Sequence, residues 1–265
     1  MLHFQCSARP AHHRLIVRIV FTLPTRALHQ AAPNKSIVLL HVCAHNPTGV
    51  DPTQAQWKQI AAAMKEKGHF PFFDCAYQGF ATGDLSADNY PVRLFIELGF
   101  EMVVCQSFAK NFGLYAERIG ALHVAVNNPA MTAPVVSQLA VIIRPMYSNP
   151  PRHGAHIVSA ILNDPALFAE WDAELKGMAH RIKDMRTALL AELKKLKTPG
   201  DWSHVVSQIG MFSYTGLTPK QVDKMIKTHH IYMLGNGRIS MAGVNSKNVA
   251  YIANAIHDCV TTVKA

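Results

Sequence analysis

The chain reads as an α/β protein, with a mostly parallel sheet in its larger part and a smaller α+β domain at the C-terminal end. Three observations predict this. Short, near-continuous apolar runs at 37–42, 70–73 and 102–105 alternate with stretches of helical periodicity, which is the pattern of buried parallel strands joined by crossover helices. Apolar residues from Phe168 to Leu196 recur at spacings of three and four, so one long amphipathic helix is expected there. Beyond Pro199 and Gly200 the signals shorten and alternate again, as in a compact second domain.

The elements follow in order. After the first strand at 37–42, Thr53 or Asp51 caps a helix to about Lys67, with Trp57, Ile60 and Met64 on one stripe. The strand at 70–74 ends in Asp74, and a loop with Gly79, Gly83 and Asp84 leads to a helix opened by Pro91. The strand at 102–107 leads to Lys110, and 120–126 forms another strand. Asn128-Pro129 opens a helix to about Met146, Gly154 begins the next, and Asp164-Pro165 caps the long one. The tail then gives a strand at 210–215, a helix at 218–229, strands near 231–234 and 238–242, and a last helix to about Val263.

Three strand-to-turn junctions carry the chemistry. Lys110 stands where an apolar strand opens into a glycine-containing turn, the carboxyl edge at which open α/β sheets bind ligands. An amine there adds to an aldehyde as a Schiff base when cationic neighbours suppress its charge; Arg118 is one such cation and also suits a phosphate. Asp74, at a strand tip with Tyr77 on the following turn, suits a buried organic cation such as a protonated pyridine nitrogen. Asn46, in Ala44-His45-Asn46-Pro47-Thr48-Gly49, offers an amide at the same edge. Taken singly, each has an ordinary explanation: a solvated lysine, a strand-end carboxylate, a turn asparagine. In the order Asn, Asp, Tyr, Lys, Arg they form a specific set.

The stretches HNPTGVDPT from His45, FFDCAYQGFATGD from Phe72, CQSFAKNFGLYAERIGA from Cys105, IIRPMYSNPP from Ile142, QIGMFSYTGL from Gln208 and GRISMAGV from Gly237 resemble the aspartate aminotransferases, of the animal mitochondrial kind, among the fold-type-I enzymes that use pyridoxal 5'-phosphate (PLP). The resemblance runs from about Ser36 to the C-terminus. It implies a partial large PLP-binding domain at 36–163, a connecting helix at 164–198 and a small domain at 199–265. It implies that Lys110 forms the Schiff base with PLP and shuttles the substrate proton, and that Asp74 pairs with the ring nitrogen. Tyr77 and Asn46 would hydrogen-bond the phenolic oxygen, and Ser107 and Arg118 would hold the phosphate. Arg238 would grip the substrate α-carboxylate, with Phe212 lining the same pocket. Arg144 would bind the side-chain carboxylate of a dicarboxylic amino acid or 2-oxo acid in the neighbouring subunit's site, which implies a homodimer. The implied reaction is ping-pong amino-group exchange between L-aspartate and 2-oxoglutarate.

Composition bounds the rest. With 265 residues, 49% apolar, the chain can bury a full core. It has no run of 18 apolar residues, so no membrane span is expected, and five cysteines without paired spacing point away from a metal site. The formal charge is +9, but the first acidic residue is Asp51, after Arg9, Arg14, Arg18, Arg26 and Lys35. More than half of the excess lies in an unpatterned basic leader at 1–35, expected to be unordered, so nucleic acid is not the expected partner. The leader's composition fits a mitochondrial transit peptide and a matrix location; an arbitrary start to the chain and a cytoplasmic location stay open. The family's N-terminal arm, phosphate loop and stacking tryptophan precede HNPTG, and residues 1–35 do not supply them, so weak or absent turnover is expected. Two further readings stay open: a non-catalytic short form that at most binds PLP or pairs with a full-length subunit, and an aromatic or kynurenine-type aminotransferase.

Overall fold

The structure, a computed structural model, describes residues 16–18 and 32–263. The described chain divides into two compact units. The first holds the residues up to Val42, Pro52–Gln78 and Asn89–Trp171. The second holds Cys43–Asp51, Gly79–Asp88 and the residues from Asp172 onward.

The first unit is built on a five-stranded sheet in the order β1 (Ile16–Arg18), β2 (Ile37–His41), β3 (Phe70–Cys75), β4 (Met102–Ser107) and β5 (Gly120–Ala125). The first three pairings are parallel, and β5 runs antiparallel to β4. The mostly parallel sheet expected from the apolar runs is present. β1 departs from the expectation that 1–35 holds no ordered element: its backbone pairs with β2 from Ile16↔Ile37 to Arg18↔Leu39. The rest of the leader up to residue 31 lies outside the described residues.

Between β2 and β3 runs α1 (Gln54–Glu66). Thr53, not Asp51, caps it: the Thr53 hydroxyl accepts from the Gln56 N–H, and the Gln56 side chain accepts from the Thr53 N–H. The chain then passes α2 (Leu85–Asp88) and α3 (Tyr90–Glu97), where Pro91 takes the first turn as expected. β3 alternates strictly, with Pro71, Phe73 and Cys75 buried and Phe70, Phe72 and Asp74 half-buried. On the buried side, Phe73 meets Phe95 edge-on at 5.1 Å between ring centroids, Trp57 meets Phe95 edge-on at 6.3 Å, and Phe100 lies 4.7 Å from Phe95. Phe95 is thus the hub of the core. Helices α4 (Thr132–Met146) and α5 (His153–Asn163) follow β5, and α6 (Pro165–Lys195) begins in this unit at the expected cap.

The second unit holds the rest of α6, α7 (His204–Ser207), β6 (Phe212–Tyr214), α8 (Pro219–Lys227), β7 (Arg238–Ser240) and α9 (Val249–Thr262). β6 and β7 form an antiparallel pair. The strand expected at 231–234 is absent. Its residues alternate in burial, Ile231 and Met233 half-buried and Tyr232 and Leu234 exposed, but no described strand gives it a ladder. Instead the Leu234 N–H bonds the Arg238 carbonyl, and a turn closes from Gly237 N to Leu234 O.

Segments 43–51 and 79–88 join the second unit because glycines there permit close approach. A Cβ on Gly79 would lie 2.3 Å from Leu175 Cδ2, and one on Gly210 would lie 2.4 Å from Ala44 Cβ. Phe95→Ala should cost about 3–5 kcal/mol in chemical denaturation, because it opens a cavity at a fully buried hub. A loss below 1 kcal/mol would show that this core is not close-packed.

Candidate functional site

The expected residues gather in two groups. In the first unit the register pairs Asp74 with Cys105 across β3 and β4, so both strands reach the carboxyl edge together. The half-buried face there forms an open groove of about 470 Å³, lined by Asp74, Cys105, Ser107, Lys110 and Arg118 among others. Burial, and next the nearby charge of Asp74, push the Cys105 thiol above its ordinary range. The Lys110 ammonium lies 4.8 Å from the centroid of the Tyr77 ring, which is itself 6% exposed.

The turn that carries Lys110 is held from several sides. The Gly113 N–H, at φ +67°, bonds the Lys110 carbonyl, and Phe108 N–H bonds the Ile119 carbonyl. Buried Asn111 donates from Nδ2 to the Gln78 carbonyl at 3.3 Å, and its own carbonyl accepts from the Trp171 indole N–H at 2.9 Å. The Trp171 ring stacks on Phe112 at 4.5 Å. Sequence reading placed Trp171 only in the apolar stripe of the long helix; its indole N–H leaves no mark in the pattern. On the back of β4, Gln106 donates to Gln78 Oε1 at 2.9 Å and is bonded to His123 Nε2 at 3.1 Å. Arg118 is exposed, with Nη1 donating to the Tyr115 carbonyl at 3.0 Å.

In the second unit, Arg238 on β7 donates from Nη1 to Asn46 Oδ1, and its guanidinium lies 4.2 Å from the centroid of the Phe212 ring on β6. Asn46 reaches that position because its turn is docked on the segment before β6. Ile209 N–H donates to the Gly49 carbonyl at 2.8 Å, and Gly49, at φ +66°, leaves room for no side chain. Asp51 closes the turn: its carboxylate accepts from the Ala44 N–H at 2.5 Å and the His45 N–H at 2.8 Å. Sequence reading offered Asp51 as a helix cap and missed this clamp. Arg144 does not join either group. It lies exposed in the last turn of α4, where Nη1 donates to Ser148 Oγ at 3.2 Å.

Burial lifts the Asp51 carboxyl to about 6, against the two N–H bonds that favour its charge. A carboxyl whose folded pKa exceeds its unfolded value holds more protons folded than unfolded. Its contribution to stability is therefore present below about pH 4 and is lost as pH rises to about 6. A carbon-detected NMR titration should place the Asp51 midpoint near 6. Asp51→Asn should abolish that titration and leave one of the two N–H groups poorly satisfied, at about 1–3 kcal/mol. A midpoint below 4 would mean that the N–H bonds outweigh burial.

The family model described as "Aminotransferase class I and II" matches residues 21–256, beginning ahead of the Ser36 expected from the motifs. The chain is 55% identical over 236 residues to a cytoplasmic aspartate aminotransferase of Caenorhabditis elegans, covering 89% of this chain and 58% of that protein. It is 57% identical over 226 residues to a mitochondrial aspartate aminotransferase of Dictyostelium discoideum, covering 85% of this chain and 53% of that protein. It thus spans little more than half the length of these relatives, and identity does not separate a mitochondrial from a cytoplasmic type. Among solved structures, the cytoplasmic aspartate aminotransferase of Saccharomyces cerevisiae matches with a TM-score of 0.88 at 49% identity, over 91% of this chain and 60% of that one. An aromatic-amino-acid aminotransferase of Burkholderia pseudomallei, covalently bound to pyridoxal phosphate, matches with a TM-score of 0.86 at 44% identity, over 89% and 58%.

Proposed function

The chain belongs to the class I and II aminotransferase family, and on that premise we propose that it binds PLP at Lys110 and exchanges an amino group between L-aspartate and 2-oxoglutarate. The observation that carries this reading is the groove of the first unit, where an amine, a carboxylate, a hydroxyl and a guanidinium line one cavity. These groups fit the cofactor: Lys110 its aldehyde, Asp74 its ring nitrogen, Ser107 and Arg118 its phosphate. A volume of about 470 Å³ suits a ligand of that size. Bound there, PLP supplies an aldehyde and an electron-withdrawing ring. The Lys110 amine would take the proton from the substrate Cα and deliver it to the cofactor carbon that carried the aldehyde oxygen. Asp74 would face the ring nitrogen and Tyr77 would donate to the ring's phenolic oxygen; the family resemblance assigns Asn46 to that oxygen as well. Arg238 binds the substrate α-carboxylate as a two-pronged donor, and Phe212 stacks on the guanidinium and fixes its plane.

Arg144 is assigned the distal carboxylate in a partner subunit's site. A homodimer is supported by α4, which has no buried residue although Val136, Val141 and Ile142 are apolar and more than half exposed. Light scattering should give twice the chain mass, reduced to one chain by Val141→Glu; one-chain mass for the parent would sink the dimer. A broader substrate range, including aromatic amino acids, is supported by the likeness to the Burkholderia enzyme.

Borohydride reduction of the PLP-loaded chain, followed by peptide mapping, should label Lys110, and Lys110→Ala should lose the label. In a chain that turns over, Arg238→Lys should lower kcat/KM for aspartate by roughly 30- to 1000-fold, as expected for a lost charge-assisted pair. Arg144→Ala should impair aspartate more than phenylalanine. A folded chain with no label at Lys110 would refute the cofactor assignment.

A further inference from the structure

The second unit holds a cavity of about 250 Å³ that plays no part in the reading above. Its lining combines apolar Phe80, Ile182 and Val206 with polar Lys183, Arg186 and Gln208. Lys183 and Arg186 stand three residues apart on α6 and so share a face. Lys183 is exposed, whereas Arg186 is 2% exposed.

Arg186 is incompletely satisfied in two respects. Its guanidinium donates to the carbonyls of Val205 at 2.9 Å, Gly210 at 2.9 Å and Phe212 at 2.5 Å, while the buried Nε has no partner. An arginine has five N–H donors, so these carbonyls leave the set incomplete. Its charge is also unopposed: among the described residues no carboxylate is paired with it, and burial pulls its pKa down to about 10. Asp88 does not serve, because its buried carboxylate is taken up by the N–H groups of Gly79, Ala81 and Thr82 and by the Thr82 hydroxyl. A buried cation without a counter-charge is costly, and an anion in the adjoining cavity would remove that cost.

We propose that this cavity binds a phosphate monoester, with the phosphate between Arg186 and Lys183 and the organic body against Phe80, Ile182 and Val206. The guanidinium supplies a fixed, weakly hydrated charge at the floor, and Lys183 supplies a second, mobile charge at the rim. The apolar part of the lining has no use for a bare ion, which favours an ester over inorganic phosphate.

The test is an amide NMR titration of the full chain with phenyl phosphate and, separately, with inorganic phosphate. Phenyl phosphate should give saturable shifts at Lys183, Gln208 and Gly210 and bind about tenfold more tightly than the inorganic ion, as expected from burying part of the ring. Lys183→Ala should weaken binding by about five- to tenfold without lowering the melting temperature. Lys194→Ala, at an exposed position on the same helix outside this lining, should leave binding unchanged. Equal affinity for the two ligands would overturn the ester assignment. Equal weakening by both lysine variants, or shifts confined to Ser107, Lys110 and Arg118, would overturn the site. The readout is independent of PLP, so its failure leaves the aminotransferase reading untouched.

Discussion

The groove of the first unit depends on the register between β3 and β4. Pairing Asp74 with Cys105 sets Asp74 on the half-buried face of the sheet, with Phe73 and Cys75 on the other. A slip of one residue would turn the carboxylate into the aromatic core and bring Phe73 out, because side chains alternate with a period of two. Burying an unpaired carboxylate against Trp57 and Phe95 would cost several kcal/mol, so the core and the groove enforce one register together. The same register sets where β4 ends, and thus where the Lys110 turn begins.

That turn is positioned by parts of the chain distant in sequence. Asn111 links it to Gln78 on one side and to Trp171 on the other, and Phe112 lies flat against the same indole. The Lys110 backbone is therefore fixed by contacts that its own motif does not contain. In the second unit, Asp51 does comparable work for Asn46. By accepting from two successive N–H groups it shapes the turn, and the glycines at 49 and 210 let that turn lie against its neighbours. The Asn46–Arg238 contact joins positions 192 residues apart, and only such long-range packing brings it about.

How much of this was legible from the sequence follows from what kind of signal each feature leaves. β2, β3 and β4 announced themselves as apolar runs, and α1, α3 and α6 by stripes, caps and prolines, because burial and helix ends act locally. Lys110, Asp74 and Arg118 were legible because strand ends and turns place them on one edge, and Ser107 only through the family resemblance. Residues 231–234 show the limit of that reasoning: they form a short apolar run and alternate in burial, but a strand also needs a ladder partner, and no local pattern reports one. Asp51 was misread for a related reason. A short acidic side chain ahead of a helix serves a cap and a turn clamp equally well, and Thr53, two residues on, had the capping partner. Trp171 and Asp88 were invisible in their roles, because an indole N–H or a buried carboxylate acquires its partners only through tertiary structure.

Asp88 and Arg186 show how far a buried charge can be interpreted. Both lie in the second unit, and burial opposes the charge of both. Asp88 meets four donors on one short loop, so its burial is accounted for by folding alone: the carboxylate organises residues 79–82 and is satisfied by them. Arg186 meets three carbonyls, neutral acceptors that orient the guanidinium without cancelling its charge, and Nε is left over. Orientation explains why an arginine sits there, since a lysine could not bridge three separate carbonyls with a planar fork. It does not explain why the charge is left uncompensated beside an open volume. A purely structural role would be served as well with a carboxylate in the wall, as at the exposed pairs Lys176–Asp172 and Lys227–Asp223 elsewhere in the unit. The residual charge is therefore the feature of this unit that packing leaves unexplained and an anionic ligand would explain.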